Sequence, residues 1–144
     1  MIKLRPYQEK AIEAGLKFLR GKSQKPGVIV APCGCGKSIL VSYIAKELGE
    51  PVLVLQPSKE ILLQNYDKAV SFGATPTIYS ASCKKKEISS FTYATLKSVK
   101  KDVEELKKMG IKYILIDEAH AGYSAEEKSE FMNFVKHFPD AKFL

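Results

Sequence analysis

Cysteine is scarce in this chain and histidine scarcer: of 144 residues, three are Cys and two are His. Cys33, Cys35 and Cys83 are odd in number, and the first two stand too close for an easy bridge. A disulfide framework is therefore excluded, and a reducing, cytoplasmic setting is expected. A structural zinc site would have to draw on Cys33, Cys35, Cys83, His120 and His137, whose spacing lacks the paired pattern such a site needs. Apolar runs are short as well. None approaches the ~20 residues that cross a bilayer, and Met1-Ile2-Lys3-Leu4-Arg5-Pro6 has no continuous hydrophobic stretch of the kind a secretion signal carries. Internal repeats and low-complexity tracts are also absent, so residues 1–144 are expected to form a single soluble domain without a membrane partner.

What is present is ordinary in bulk and basic in charge. Hydrophobic residues make up 45% and charged residues 27%, the balance of a globular domain. A chain of this size buries roughly 68–70% of its unfolded surface without needing staples. The excess of 23 Lys and Arg over 16 Asp and Glu gives a net charge of +7 and a pI near 9.2, which favours a polyanionic partner. Lys84-Lys85-Lys86, Lys100-Lys101 and Lys107-Lys108 carry much of that excess, although each run taken singly is also what a solvated face looks like.

Hydrophobic periodicity orders the chain as helices alternating with short apolar strands. After Pro6, suited to a first helical turn, the spacing of Ala11, Ile12, Leu16 and Leu19 predicts a helix over residues 6–20. Val28-Ile29-Val30-Ala31 reads as the first strand, and Ile39, Leu40, Tyr43, Ile44 and Leu48 as a helix ending at Gly49. A buried strand over 51–55 follows, then a helix capped by Ser58 and running to about residue 72, and a short strand over 75–79. Residues 81–91 are polar and Lys-rich. Phe91-Thr92-Tyr93 looks extended, 94–108 helical, 113–117 a further strand, 126–137 an amphipathic helix, and 141–144 the start of another strand. Continuous apolar strands separated by helices imply an α/β fold: a parallel β-sheet with helices on both faces, which binds ligands at the carboxyl ends of its strands.

Two motifs fall at those ends. Ala31-Pro32-Cys33-Gly34-Cys35-Gly36-Lys37-Ser38 joins a strand to a helix through a Gly-rich loop, the arrangement in which loop N–H groups and a helix N-terminus converge on an anion. Pro32, Cys33, Gly34, Cys35 and Gly36 would wrap the phosphates, Lys37 would reach the β- and γ-phosphates, and the Ser38 hydroxyl would ligate Mg2+. The plainer alternative is a Gly-rich turn with Lys37 as a solvated cation. Asp117-Glu118-Ala119-His120 closes the strand at 113–117 with adjacent carboxylates: Asp117 placed to hold Mg2+, Glu118 placed as the base for an attacking water. His120 alone would be no more than a polar residue at a helix start.

Taken together, these stretches resemble the superfamily 2 helicases and translocases, whose phosphate loop commonly opens with Ala, as here at Ala31. The likeness extends from position 4 to position 120 in the family's order. Leu4-Arg5-Pro6-Tyr7-Gln8 is similar to the family's upstream glutamine motif, which implies that Gln8 reads the adenine edge and that Arg5 lies against the base. Gln56-Pro57-Ser58-Lys59-Glu60-Ile61-Leu62-Leu63-Gln64-Asn65 looks like the motif that contacts nucleic-acid phosphates, carrying Ser58 and Lys59; Phe91-Thr92-Tyr93-Ala94-Thr95-Leu96 resembles a later one, carrying Thr95 and, less strongly, Thr92. A capping Ser, a surface Lys and Thr residues in a strand-to-helix turn remain the competing explanations for these four.

The resemblance implies a RecA-like P-loop NTPase domain, the first motor domain of an ATP-dependent helicase, using ATP and Mg2+, with Lys37, Asp117, Glu118 and His120 as catalytic residues. The style of the motifs resembles bacterial or phage DNA helicases and so points to DNA rather than RNA; a monomer is expected. The family's Ser/Thr-Ala-Thr motif and its second RecA-like domain, which supplies arginine fingers, have no counterpart in residues 1–144. Such an arginine is worth about 10³–10⁵ in rate, so this chain is expected to bind nucleotide, hydrolyse it slowly and not unwind alone. Two other classes stay open: a nucleotide or nucleic-acid binding module without catalysis, and a small-molecule kinase on the same loop, which would leave Gln8, the 56–65 stretch and Asp117–His120 unexplained.

Overall fold

The structure, a computed structural model, describes residues 3–119 and 124–144; His120 lies outside the described residues. Its helices and strands run in the order α1 (Pro6–Arg20), α2 (Lys37–Leu48), β1 (Val52–Gln56), α3 (Lys59–Ser71), β2 (Thr77–Ser80), a 3-10 turn (Ala81–Cys83), β3 (Lys85–Lys86), β4 (Phe91–Thr95), α4 (Leu96–Val99), α5 (Val103–Lys108), β5 (Tyr113–Ile116), α6 (Ala125–Val135) and β6 (Lys142–Phe143). The strands form one sheet in the order β3-β2-β4-β1-β5-β6, parallel throughout except for β3. This is the α/β architecture expected from the alternation of elements.

The central strand shows why the strands read as unbroken apolar runs. Residues 52–55 of β1 are fully buried, since both faces of the strand are covered. Val52 and Val54 turn to one side, where they join Ile12, Leu19, Leu40, Ile44 and Leu62 from α1, α2 and α3. Leu53 and Leu55 turn to the other, among Leu96, Val99, Leu106 and Phe134 from α4, α5 and α6. Each such side chain contributes about 1.5–3 kcal/mol by leaving water, and the period of two divides that gain between two cores. The register sets Leu55 beside Ala94 and Ile116, and Gln56 beside Thr95. The carboxyl ends of the three central strands are thereby aligned, and the polar residues that follow them share one rim.

Two expectations are corrected. Residues 28–31 are not a strand of the sheet: Val28 is 80% and Val30 91% exposed. The segment runs beside β6, where the Gly27 N–H donates to the Phe143 carbonyl at 3.0 Å. β-Branched residues favour the extended state only where a neighbouring strand offers a surface to pack on, and β6 offers two residues. Second, the helix expected over 94–108 is divided. Ala94 and Thr95 stay in β4, paired with Leu55 and Gln56, and the helical part is broken between Val99 and Val103. The polar 81–91 stretch, to which no element was assigned, contains β3, whose exposed lysines pair antiparallel with Tyr79 and Ser80 at the sheet edge. Charged side chains on an outer strand discourage further pairing.

Candidate functional site

The loop between residue 31 and α2 turns on two glycines. Gly34 (φ 78°) and Gly36 (φ 86°) adopt left-handed backbone angles, which cost other residues roughly 1–2 kcal/mol. Gly36 is constrained twice over, because a Cβ there would come within 2.6 Å of Gln8 Nε2. From Gly36 the chain enters α2 directly, its carbonyl accepting from the Ile39 and Leu40 N–H groups. Lys37 and Ser38 thus open a 12-residue helix whose N-terminus carries partial positive charge.

Gln8, expected to read the adenine edge, is buried against this loop. Gln8 Nε2 donates to the Cys35 carbonyl at 2.9 Å, and Gln8 Oε1 accepts from the Arg5 N–H at 2.9 Å. The Tyr7 hydroxyl donates to the same Cys35 carbonyl at 3.1 Å, and Arg5 Nη1 reaches that hydroxyl at 3.5 Å. Arg5, Tyr7 and Gln8 therefore bind the first turn of α1 to the middle of the phosphate loop. Gln8 is not an exposed helix residue, and Tyr7 is a contact that the motif did not single out. Cys35 is buried within the loop, while Cys33 is exposed.

Opposite the loop, β5 delivers Asp117 and Glu118. Burial, and then the charge of Glu118, push the Asp117 carboxyl above the usual carboxylate range; the Asn65 hydrogen bond and Lys37 pull the other way. Glu118 has a left-handed φ of 54°, an uncommon conformation for a non-Gly residue and of the kind that clusters at working sites. Its carboxylate Oε1 lies 3.7 Å from Lys37 Nζ. Lys37, Asp117 and Glu118 line a cavity of about 600 Å³ whose remaining walls are largely aliphatic, including Ile29, Leu40, Ile44 and Leu115. The oxygen donors of Ser38 and Asp117 are of the hard type that suits Mg2+, and a carboxylate as reluctant to ionise as Asp117 is stabilised by a nearby cation.

Several residues at this site were not singled out in the sequence. Asn65 Nδ2 donates to Asp117 Oδ2 at 3.1 Å and to Gln56 Oε1 at 3.1 Å. Lys68 Nζ donates to Ser38 Oγ at 3.1 Å. Ser42 donates to the Ser38 carbonyl at 2.6 Å and is bonded in turn to the Tyr93 hydroxyl at 2.7 Å, whose pKa burial pushes up to about 12. Asn65 had a legible signal. It stands with Leu62 and Ala69 on the buried stripe of α3, where a polar residue requires a partner.

The residues matched to nucleic-acid motifs separate. Ser58 caps α3, its Oγ accepting from the Ile61 N–H at 3.3 Å, and Lys59 is exposed in the first turn. Thr95 is half-buried at the end of β4 and bonded to Ser98 Oγ at 3.0 Å. Thr92 is fully buried, its hydroxyl donating to the Ser89 carbonyl and accepting from the Ser89 N–H. No polar atom of Thr92 faces the surface a phosphate could reach.

The geometry agrees with what comparison of the whole chain finds. The sequence model of the type III restriction enzyme, res subunit, matches residues 1–144. The chain belongs to that family. It is accordingly a superfamily 2 helicase-like, RecA-type ATP-binding domain, and the family carries ATP-dependent, helicase-like activity in general. A search of curated proteins finds no match to the chain. Among the described residues, no helix is long and apolar enough to cross a membrane.

Proposed function

We propose that this chain is the nucleotide-binding motor domain of an ATP-dependent DNA helicase or translocase. The observation that carries the reading is the meeting of Lys37 with Glu118 at 3.7 Å, beside buried Asp117, at one end of a shared cavity. Residues 32–36 and Lys37 hold the phosphates, Gln8 and Arg5 take the base, and Ser38 and Asp117 hold Mg2+, which supplies charge neutralisation at the β- and γ-phosphates. Glu118 orients and deprotonates the attacking water, for which Lys37 must first leave it for phosphate; His120, in the same motif, is assigned a part in the same step on the strength of the motif alone. Ser58, Lys59 and Thr95 track a DNA backbone.

The chain's arginines are Arg5 and Arg20, and Arg20 is bonded to the Glu47 carbonyl at the far end of α2. A charge to close over the γ-phosphate is therefore assigned to a second RecA-like domain, and residues 1–144 alone bind nucleotide but turn it over slowly. Titration with a fluorescent ATP analogue tests the site: Lys37→Ala should weaken binding at least about tenfold, the value of one charge-assisted phosphate contact. Unchanged affinity would remove the assignment. Vigorous hydrolysis stimulated by single-stranded DNA, from this chain alone, would remove the need for a second domain. Saturable binding with no turnover even after that domain is added would favour a non-catalytic module.

A further inference from the structure

The three side chains Lys37, Ser38 and Asp117, expected to meet the metal and phosphates, are each engaged by another side chain of this domain. Lys37 pairs with Glu118, Asp117 accepts from Asn65, and Ser38 accepts from Lys68. Asn65 and Lys68 stand three positions apart on α3, on neighbouring faces of the helix. One helix thus touches both of the oxygens, on α2 and after β5, that this reading gives to Mg2+. The Lys68 ammonium, bonded to Ser38 Oγ, is a cation on α3 additional to Lys37, which pairs with Glu118.

We infer that Lys68 is a positioning residue of the nucleotide site, a resident cation that occupies the Ser38 hydroxyl and must withdraw from it when Mg2+ takes that oxygen. The inference rests on the assignment of Ser38 as a metal ligand. Two cations bonded to one oxygen stand within about 4 Å of each other, where their repulsion is steep. Withdrawal is feasible, because Lys68 is exposed and its four-carbon stem is flexible. The exchange therefore shifts metal demand without blocking it. It also links two binding events: with nucleotide alone, Lys68 can turn to phosphate and strengthen binding, whereas with Mg2+ it competes. Removing Lys68 should move the two affinities in opposite directions.

The test uses the 144-residue chain and a fluorescent ATP analogue, titrated in EDTA and then with Mg2+ at fixed nucleotide. Lys68→Met is expected to lower the half-saturating Mg2+ concentration about three- to tenfold, and to weaken metal-free nucleotide binding by a similar factor, the scale of a partly exposed charge contact. Lys68→Arg retains the cation and should stay within about twofold of the parent on both measures. Circular dichroism checks that each variant keeps the parent fold. If Lys68→Met leaves both affinities unmoved while Lys37→Ala abolishes binding, the nucleotide site stands and Lys68 is a solvated lysine. Weaker metal-free binding with an unmoved Mg2+ midpoint also overturns the inference, by placing Lys68 on phosphate alone. Should the parent chain bind no nucleotide, and Lys37→Ala behave identically, the site reading fails and this inference falls with it.

Discussion

Asp117 bears two opposed demands, one from its burial and one from its chemistry. Removal from water, and then the neighbouring Glu118 charge, raise its folded-state pKa above the unfolded value. In the window between those two values the folded chain holds the proton that the unfolded chain has released. Stability therefore falls as pH rises through the window, and the loss persists at neutral pH. Asp117→Asn removes the ionisation while leaving an amide oxygen to accept from Asn65. Its melting temperature at pH 7 should exceed the parent's by about 3 °C, on the order of 1 kcal/mol for a domain of this size. Thermal melts as a function of pH provide the check. The gain should shrink to nothing as pH falls below the ordinary Asp range, and a variant less stable at pH 7 would show that the carboxylate contributes more through partners than burial takes away.

At the scale of elements, α3 has an N-terminus whose Ser58 is assigned two tasks, capping and phosphate contact. They can be separated. Ser58→Ala leaves the Ile61 N–H without its partner and should cost about 1 kcal/mol. Ser58→Asp caps equally well but presents a negative charge to any backbone phosphate. If α3 faces nucleic acid, the Asp variant should keep the parent's melting temperature and lose roughly tenfold in oligonucleotide affinity, one charge-assisted contact being of that size. Equal affinity of parent, Ala and Asp variants would leave Ser58 as a cap alone.

The same scale shows what sequence could and could not disclose. Helix α1 was legible because Pro6 and the spacing of Ile12 and Leu19 agree on start and face. β1 and β5 were legible because a strand buried on both sides has no polar interruption. Residues 28–31 have an equally apolar pattern, but strand formation there depends on a neighbour and is not encoded in the pattern itself. The helix expected from residue 94 failed for the related reason that pairing of Ala94 and Thr95 with β1 outweighed their local preference. At the candidate site, Gly34, Gly36, Lys37, Asp117 and Glu118 were legible as motif residues. Lys68 was not, because a lysine on an exposed turn differs from other surface lysines only in what the fold brings beside it.

For the molecule as a whole, the sheet divides the interior into two cores that share its strands but not their helices. Helices α1, α2 and α3 belong to the first core, against which Ala31 at the start of the phosphate loop also packs, and α4, α5 and α6 belong to the second. The segment leading into the phosphate loop lies at the margin of this arrangement, tied to β6 through Gly27, with Val28 and Val30 facing solvent. In deuterated buffer, the amides of residues 28–31 should exchange orders of magnitude faster than those of β1, which are paired on both sides. Mass-resolved labelling of a peptide spanning this segment measures the difference directly, and slow exchange there would mean that the segment is held by a ladder like that of an inner strand. That looseness gives the domain its own reporter: a ligand that orders the loop will be registered, before any turnover, as deuterium that the peptide fails to take up.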